Sequence, residues 1–292
     1  MCRGAFFVFC LSGLLLGSGT LRAQEIDART FSNAPIGVNV LSLGTAQVRT
    51  SNYTINTQAL SYNHIFDFIG QSAKFTAVLP YAELHGSTKM GGQVVNASLQ
   101  GFSDPILRVA ANLYGAPALT AEEFKSYQQD LIIGANLSVL VPYGRYNGNQ
   151  LINVGTNRTF VQPGLGASQA SGPWRYELSG NATFFSNNDD YYGGNVLSQN
   201  PVYSTTGHLI YYFPATSWLS LDATYYSGGQ TFLNGRPKSN SQENWLIGAT
   251  FSIPINKHNA IKFHGSEGAY SSSHQSYTLY GLTWQYIWGP GL

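Results

Sequence analysis

The stretch Tyr280-Gly281-Leu282-Thr283-Trp284-Gln285-Tyr286-Ile287-Trp288 alternates between large apolar side chains and small or polar ones. Successive side chains of an extended strand point to opposite faces, so the two sets separate. The even positions form an apolar face rich in aromatic rings, and Gly281, Thr283 and Gln285 share the other face. A strand with these two faces suits a sheet that lies between lipid and water. The pattern therefore predicts a membrane strand.

A cleavable secretory leader precedes the alternating segments. Arg3 gives its start a positive charge, an apolar run follows at 5–16, and small residues lead to Ala23. The run is shorter than the ~20 residues that cross a bilayer as a helix, so a signal peptide is favoured over a membrane anchor. We expect a signal peptide at 1–23 and a single outer-membrane β-barrel domain at 24–292.

The composition separates this chain from typical soluble domains. Charged residues make up only 10%, against ~25% in a soluble domain, while aromatic residues reach 14%. The mean hydropathy is −0.10, and beyond the leader no run of about 18 apolar residues predicts a transmembrane helix. Both cysteines fall in the leader, so the remainder has neither a disulfide nor a cysteine metal site. These features favour a transmembrane β-barrel, and the net charge of +1 argues against a nucleic-acid partner.

Alternation and turn residues divide the chain into about twelve strand candidates. Short links alternate with longer links rich in Gly and Asn, as in outer-membrane barrels, and both termini then fall on the short-turn side. The longer links are expected near 83–103, 143–156, 187–202, 229–242 and 269–276. The strands are expected at 36–47, 54–66, 71–82, 104–115, 130–142, 157–170, 173–186, 203–213, 217–228, 243–254, 259–268 and 277–288.

One long connection, 116–129, falls on the short-turn side. Thr120 has a side-chain oxygen that suits a helix N-cap, and Glu122 and Glu123 place acids in the first turn. We therefore predict a short periplasmic helix near 119–128.

Strands that face lipid require a closed sheet, because unpaired backbone N–H and C=O groups are costly there. The alternative, a soluble β-sandwich, would need many more charges on its outer faces than this chain has. We therefore predict an all-β fold, a transmembrane up-and-down antiparallel β-barrel of about 12 strands in the bacterial outer membrane.

Charged side chains on the strands are expected to point into the barrel. A charge that faces lipid near the midplane would cost about 2–4 kcal/mol, so the inward position is favoured. The set has mixed sign, and its members either pair across the lumen and fill it or line a path for solutes. Both alternatives remain open on the residues alone. The candidates for the lumen and the solute path are Lys74, Arg108, Arg175, Glu177, His208, Asp222, Lys262 and His264.

The loop at 143–158 carries a second set of candidates. Its Arg and Tyr side chains have the groups needed to contact an aromatic or carboxylated solute, and a merely exposed surface loop is the alternative. No catalytic motif, metal-ligand spacing or nucleotide-binding fingerprint occurs, so we expect no enzyme, no metal and no cofactor. The loop candidates are Arg145, Tyr146, Asn157 and Arg158.

Motifs spread over nearly the whole predicted mature chain have the order and spacing of a known family. The first is Ala28-Arg29-Thr30-Phe31-Ser32-Asn33-Ala34-Pro35-Ile36-Gly37-Val38-Asn39, and another is Asp104-Pro105-Ile106-Leu107-Arg108. Together with the stretches at 112–119, 151–158, 187–194, 207–211 and 219–229, they resemble the outer-membrane transporter family of the meta-pathway of phenol degradation.

The resemblance implies an outer-membrane β-barrel of a Gram-negative bacterium that takes up small solutes, with aromatic compounds among the candidates. The expected partners are outer-membrane lipid and lipopolysaccharide, the barrel assembly machinery and a small-molecule solute. Such barrels usually end on an aromatic residue that the assembly machinery reads. Here Trp288 is followed by Gly289-Pro290-Gly291-Leu292, which departs from that pattern.

Our leading hypothesis is a monomeric channel that passes small solutes by diffusion. The second is a structural or adhesive barrel with a filled lumen that acts through its outer loops. The third is an outer-membrane hydrolase, which would need Ser, His and a polar partner on the outer face. His208 and His264 are expected to face inward, which counts against a hydrolase.

Overall fold

The computed structural model describes residues 27–50, 53–90, 93–214, 216–271 and 277–292, so the predicted leader at 1–23 lies outside the described residues. Within these ranges the elements are β-strands, apart from the helical turn α1 (Ala121–Phe124). The strands are β1 (Asn39–Arg49), β2 (Tyr53–Phe68), β3 (Gln71–Met90), β4 (Gln93–Phe102), β5 (Ile106–Tyr114), β6 (Leu131–Leu140), β7 (Phe160–Ser171), β8 (Trp174–Phe185), β9 (Asn188–Tyr191), β10 (Asn195–Gln199), β11 (Val202–Tyr212), β12 (Trp218–Gly228), β13 (Thr231–Leu233), β14 (Arg236–Pro237), β15 (Gln242–Pro254), β16 (Asn259–Ser271) and β17 (Thr278–Trp288).

The wall of the molecule is a closed antiparallel barrel of 12 strands, which confirms the predicted fold. The wall closes where β1 pairs with β17, from Asn39 opposite Trp288 to Arg49 opposite Thr278. The long strand β3 pairs with β5 in its first half and with β4 in its second half, so β4 and β5 share one place in the wall. Closure pairs the backbone groups that lipid cannot solvate.

Side chains alternate between the two faces of the wall, as the sequence predicts. In β17, Tyr280 is 65% exposed and Leu282 is 43% exposed on the outer face, whereas Thr283 and Gln285 line the lumen. Large apolar side chains recur on the outer face of the other strands, and Ser, Thr, Asn and Gln dominate the buried polar positions. The outer face therefore suits lipid and the inner face suits water or polar groups.

The prediction of a long loop at 83–103 is wrong. Here β3 continues to Met90 and β4 returns from Gln93, with Met90 opposite Gln93 and Tyr81 opposite Phe102. The backbone hydrogen bonds between paired strands do not depend on side-chain type, so a high content of Gly and Asn does not exclude strands. The predicted links at 187–202 and 229–242 likewise contain β9, β10, β13 and β14, which form a separate four-stranded sheet.

The helical turn α1 lies within the interval 119–128. Thr120 caps it: the Glu123 backbone N–H donates to the Thr120 hydroxyl (3.4 Å), and the Thr120 backbone N–H donates to the Glu123 carboxylate (2.8 Å). The hydrogen bonds from Thr120 lower the pKa of the Glu123 carboxyl. Among the described residues, no helix is long and apolar enough to cross a membrane.

Candidate functional site in the barrel lumen

The chain before β1 folds into the lumen, and we name residues 27–35 the plug. At the barrel end where β1 begins, the Ile36 N–H donates to the Leu119 carbonyl (2.8 Å). The Asn33 side-chain amide donates to the Pro117 carbonyl (3.1 Å). Beyond these anchors, the plug residues line the interior cavity. This end of the lumen is therefore partly filled by the protein's own chain.

Phe31 anchors the plug. Its side chain is only 1% exposed and packs with Ala116 and Ile132. Gly134 and Gly166 face it from β6 and β7: a Cβ at Gly134 would lie 2.5 Å from the Phe31 ring, and a Cβ at Gly166 would overlap the ring. Two glycines at inward strand positions thus make the space for this ring.

Glu177 holds the plug through hydrogen bonds. The Arg29 backbone N–H donates to one carboxylate oxygen (2.8 Å), and the Ser32 hydroxyl donates to the other (3.2 Å). The Arg29 guanidinium lies 5.6 Å from the centre of the Tyr212 ring and 5.4 Å from that of Trp218. Both carboxylate oxygens of Glu177, a predicted lumen residue, therefore accept hydrogen bonds from the plug.

Above the plug, the lumen contains a cavity of about 560 Å³. Polar side chains from most wall strands line it, as do Asp27 and Arg29 of the plug. Among the predicted lumen residues, the cavity is lined by Lys74, Arg108, His208, Asp222, Lys262 and His264.

One side of the lumen carries the acids. Asp222 on β12 accepts a hydrogen bond from His208 Nδ1 on β11 (2.6 Å), and Ser220 and Thr250 also donate to its carboxylate. Glu177 lies opposite His208 on β8. The His208 Nε2 atom is buried and has no hydrogen-bond partner among the described residues. Because β8, β11 and β12 are consecutive in the wall, we name this side the acidic wall.

Basic side chains occupy the other side. Lys74 on β3, Arg108 on β5, and Lys262 and His264 on β16 belong to the half of the wall that includes the β1–β17 closure. We name these four residues the basic wall. The sequence showed the mixed sign of the lumen charges, and the strand order of the closed barrel separates the two signs.

Asp27 of the plug lines the same cavity as the basic wall. Its side chain is accessible to the cavity, although the barrel encloses it. Burial raises the pKa of its carboxyl, but the positive charges of Lys262, Arg108 and Lys74 outweigh this and hold that pKa below its usual value. The Lys74 ammonium also donates to the Arg29 carbonyl (3.5 Å).

The other basic-wall side chains have contacts in the wall itself. Arg108 Nε donates to the Ser138 hydroxyl (2.9 Å). The Lys262 ammonium lies 5.4 Å from the centre of the Trp218 ring. His264 packs over Gly281, where a Cβ would overlap the imidazole.

Arg175 does not join this site. It donates to the Gly172 and Trp174 carbonyls at the adjacent turn (3.0 and 2.9 Å) and lies 5.3 Å from the Tyr212 ring centre. A pair between Arg175 and Glu177 would have favoured a filled lumen. Within the described part of the chain, the ion pairs are instead Lys125–Glu122 and His208–Asp222.

At the opposite end of the barrel, Asp104 fastens the loop between β6 and β7. One of its carboxylate oxygens accepts from the Gly144 N–H (2.8 Å), and the other accepts from the Thr156 N–H and hydroxyl (2.6 and 2.7 Å). Asp104 is only 2% exposed. Sequence reasoning missed this role, because the acceptor and the loop are 40 to 52 residues apart.

The four loop candidates are mostly engaged within the outer loops. Arg145 is exposed and donates to the Gln100 carbonyl (2.9 Å). The Tyr146 hydroxyl donates to the Asp190 carbonyl (2.9 Å), and Asn157 donates to the Asn188 side chain (3.0 Å). Arg158 is buried over the Phe185 ring at 4.5 Å, and burial lowers its pKa to about 10 although Asp104 raises it. None of the four lines the cavity.

Between the loops and the cavity, inward apolar side chains form three linked clusters, which we name the apolar layer. Tyr277 packs against the first and third clusters, and Phe185 packs against the second and third. The buried members are Val48, Ile55, Leu279, Leu140, Phe160, Val202, Tyr226 and Leu246. A solute from this end would pass apolar side chains before it reaches the charged cavity. No cluster of three or more His, Cys, Asp or Glu suited to a metal occurs among the described residues.

A closed 12-stranded barrel with an apolar outer face and a polar lumen has the architecture of an outer-membrane barrel protein. The chain belongs to the family described as "Putative MetA-pathway of phenol degradation", whose model matches residues 39–284. A search of curated proteins returns no match.

Solved structures are similar to this chain to different degrees, and the first one shows the same fold. The COG4313 outer membrane channel from Pseudomonas putida F1 is 17% identical, with a TM-score of 0.79 over 90% of this chain and 100% of that one. The transport unit of the autotransporter AIDA-I from Escherichia coli is 8% identical, with a TM-score of 0.50 over 90% and 93% of the two chains. The toluene transporter TodX from Pseudomonas putida is 12% identical, with a TM-score of 0.45 over 89% and 93%.

Proposed function

We propose that this protein is an outer-membrane channel through which small solutes diffuse passively. The observation that carries the proposal is the polar cavity of about 560 Å³ inside the closed barrel. Its volume falls within the range of ~300–1,000 Å³ that is typical of small-molecule sites. The likeness to the COG4313 channel supports the fold on which such a channel would be built.

The proposed path has three parts. A solute would pass the outer loops and the apolar layer, enter the charged cavity, and leave past the plug. The solute-path residues of the proposal are Lys74, Arg108, His208, Asp222, Lys262 and His264, which line the cavity. Glu177 would act on passage indirectly, because it holds the plug.

We propose further details of export, assembly and solute class for the same channel. The chain would carry a signal peptide at 1–23, be inserted by the barrel assembly machinery, and work as a monomer among outer-membrane lipid and lipopolysaccharide. The solutes would include aromatic compounds, in keeping with the phenol-degradation pathway for which the family is described. The protein would act without a metal, a cofactor or catalysis.

The plug favours a second candidate, a structural or adhesive barrel with a closed lumen. Phe31 and Glu177 fasten the plug at one end, and the apolar layer narrows the other end. In this case the outer loops would carry the function. The two candidates differ in whether the lumen passes solutes.

The test measures passage directly. Purified full-length protein would be placed in planar bilayers for conductance and in liposomes for swelling with neutral solutes of graded size. A channel gives conductance and swelling that decline with solute size. A protein that stays electrically silent and leaves permeability unchanged for every solute would establish the closed barrel instead.

A further inference from the structure

The charges of the lumen suggest which solutes it binds. The basic wall lines the cavity from one half of the barrel, and the His208–Asp222 pair of the acidic wall lines it from the other half. On the acidic wall, Asp222 already has His208 as its partner, and Glu177 is bonded to the plug. Asp27 of the plug lines the same cavity as Lys74, Arg108 and Lys262, and its carboxylate interacts electrostatically with all three. Glu177 also interacts with Lys74, although it does not line the cavity.

Asp27 is attached to a segment that is not part of the barrel wall. It precedes β1, and the plug reaches the cavity from the barrel end where Ile36 is bonded to Leu119. The Asp27 carboxylate is therefore a negatively charged group delivered to the cavity on a short tether. A tethered group occupies its site at a high effective concentration, so a free solute must compete with it.

The surroundings of the basic wall suit a carboxylate with an apolar body. The Trp218 ring packs beside Lys262, and Val38, Val40 and Ile65 line the same cavity. The apolar layer lies on the path from the outer loops. Moving a planar apolar group from water into that layer costs less free energy than moving a compact ion.

We infer that the basic wall, formed by Lys74, Arg108, Lys262 and His264, is a binding site for small carboxylates, and that the Asp27 carboxylate occupies it as a tethered competitor. The inference rests on the proposed channel function, because it names the solutes of the same lumen. Solute binding would displace Asp27 from the basic wall, which would weaken the hold of this wall on the plug.

The test compares benzoate with benzyl alcohol, a neutral molecule of nearly the same shape. Full-length protein in detergent micelles would be titrated with each by isothermal calorimetry. Asp27→Asn removes the tethered charge with little change of shape. Asp189→Asn, on the exposed side of β9, is the matched control.

Asp27→Asn is expected to bind benzoate at least about fivefold more tightly than the wild type. This factor is the lower end of the typical coupling between two binding events. Asp189→Asn should match the wild type, and benzyl alcohol should be insensitive to both changes. Adding Lys262→Gln to Asp27→Asn should reverse the gain. An unchanged benzoate affinity in Asp27→Asn, or an equal gain for benzyl alcohol, would overturn the inference.

If Asp27→Asn does not fold, Lys262→Gln alone provides the test. It should weaken benzoate binding about fivefold or more and leave benzyl alcohol unaffected, and equal losses for the two ligands would refute the site. Liposome swelling on the same preparations separates the two proposals. If neutral solutes pass and benzoate does not bind, the protein is a channel without the carboxylate site. If benzoate binds and no solute passes, the carboxylate site exists and the channel function is refuted.

Discussion

At the scale of single residues, glycines decide where the plug sits. The inward positions of β6 and β7 carry Gly134 and Gly166, and the Phe31 ring fills the space that their missing side chains leave. A Gly in a strand usually weakens it, so a pair of them facing one ring indicates a close approach of another segment. These residues offer the sequence signal by which the plug could have been found.

Gly166→Ala should displace the plug. The new Cβ would overlap the Phe31 ring, which has no space to move because it is already buried against Ala116 and Ile132. Faster amide hydrogen exchange at 28–32, measured by mass spectrometry, is the expected result. Gly180→Ala is the matched control, since the nearest atom to its Cβ is 4.0 Å away. Equal exchange in the two variants would contradict the prediction.

Asp27 should make the docking of the plug depend on pH. Its carboxyl has a lowered pKa when docked, because Lys262, Arg108 and Lys74 outweigh burial. A lowered pKa means that the charge attraction is complete above the ordinary value of ~4 and is lost as the pH falls through the lowered value. The wild type should therefore protect its plug amides better than Asp27→Asn at about pH 7.

The two proteins should converge in acid, once Asp27 is protonated. His264 also interacts with Asp27, so the decisive comparison lies below about pH 5, where the lumen histidines of both proteins are protonated. Exchange rates corrected for the intrinsic effect of pH are the measurement. A difference that persists in strong acid would show that the charge of Asp27 does not hold the plug.

At the scale of elements, side chains from outside the loop between β6 and β7 hold it, and Asp104 contacts both of its ends. Asp104 lies between β4 and β5, where the shared strand of the wall is interrupted, and its two carboxylate oxygens reach both ends of the loop. Because β4 ends before Asp104 and β5 begins after it, the Asp104 carboxylate can accept hydrogen bonds from the loop. The loop is therefore fixed by a contact between distant parts of the chain.

Asp104→Ala should release this loop. It leaves the part-buried Gly144 and Thr156 N–H groups without their acceptor, and the loss for each is at most the cost of about 1–3 kcal/mol for a fully buried unpaired donor. Trypsin should then cut after the exposed Arg145 at least several times faster than in the wild type. Asp189→Ala should keep the wild-type rate. If Asp104→Ala is cut no faster, the carboxylate does not fasten the loop.

At the scale of the whole molecule, the closed wall separates two environments. Adjacent residues on one strand therefore differ in what they tolerate. Leu60 is 46% exposed on the outer face, while Ser61 lines the cavity. The distinction exists only because the sheet closes, since an open sheet would have no lumen.

Leu60→Arg and Ser61→Arg should have unequal effects on stability. A basic side chain on the lipid face near the midplane costs about 2–4 kcal/mol, whereas one in the cavity can remain hydrated. Reversible unfolding by denaturant in lipid vesicles measures the difference. Equal losses in the two variants would show that position 60 does not face lipid.

The sequence alone determined most wall strands, their facing and the expectation of a closed sheet, but it missed the β3–β4 hairpin and the four short strands of the second sheet. Alternation is a local pattern with a period of two, so Tyr280, Leu282 and Trp284 show their common face without any knowledge of the fold. The charged positions on the strands could be assigned to the lumen for the same reason. Only the tertiary structure decided what these charges contact.

Glu177 bonds to Arg29 across 148 residues, and Thr156 bonds to Asp104 across 52. Contacts of this kind follow no period, because they depend on which strands the closed barrel brings together. The separation of an acidic wall from a basic wall, and the placement of Asp27 against the basic one, therefore follow from strand order and from the path of the plug.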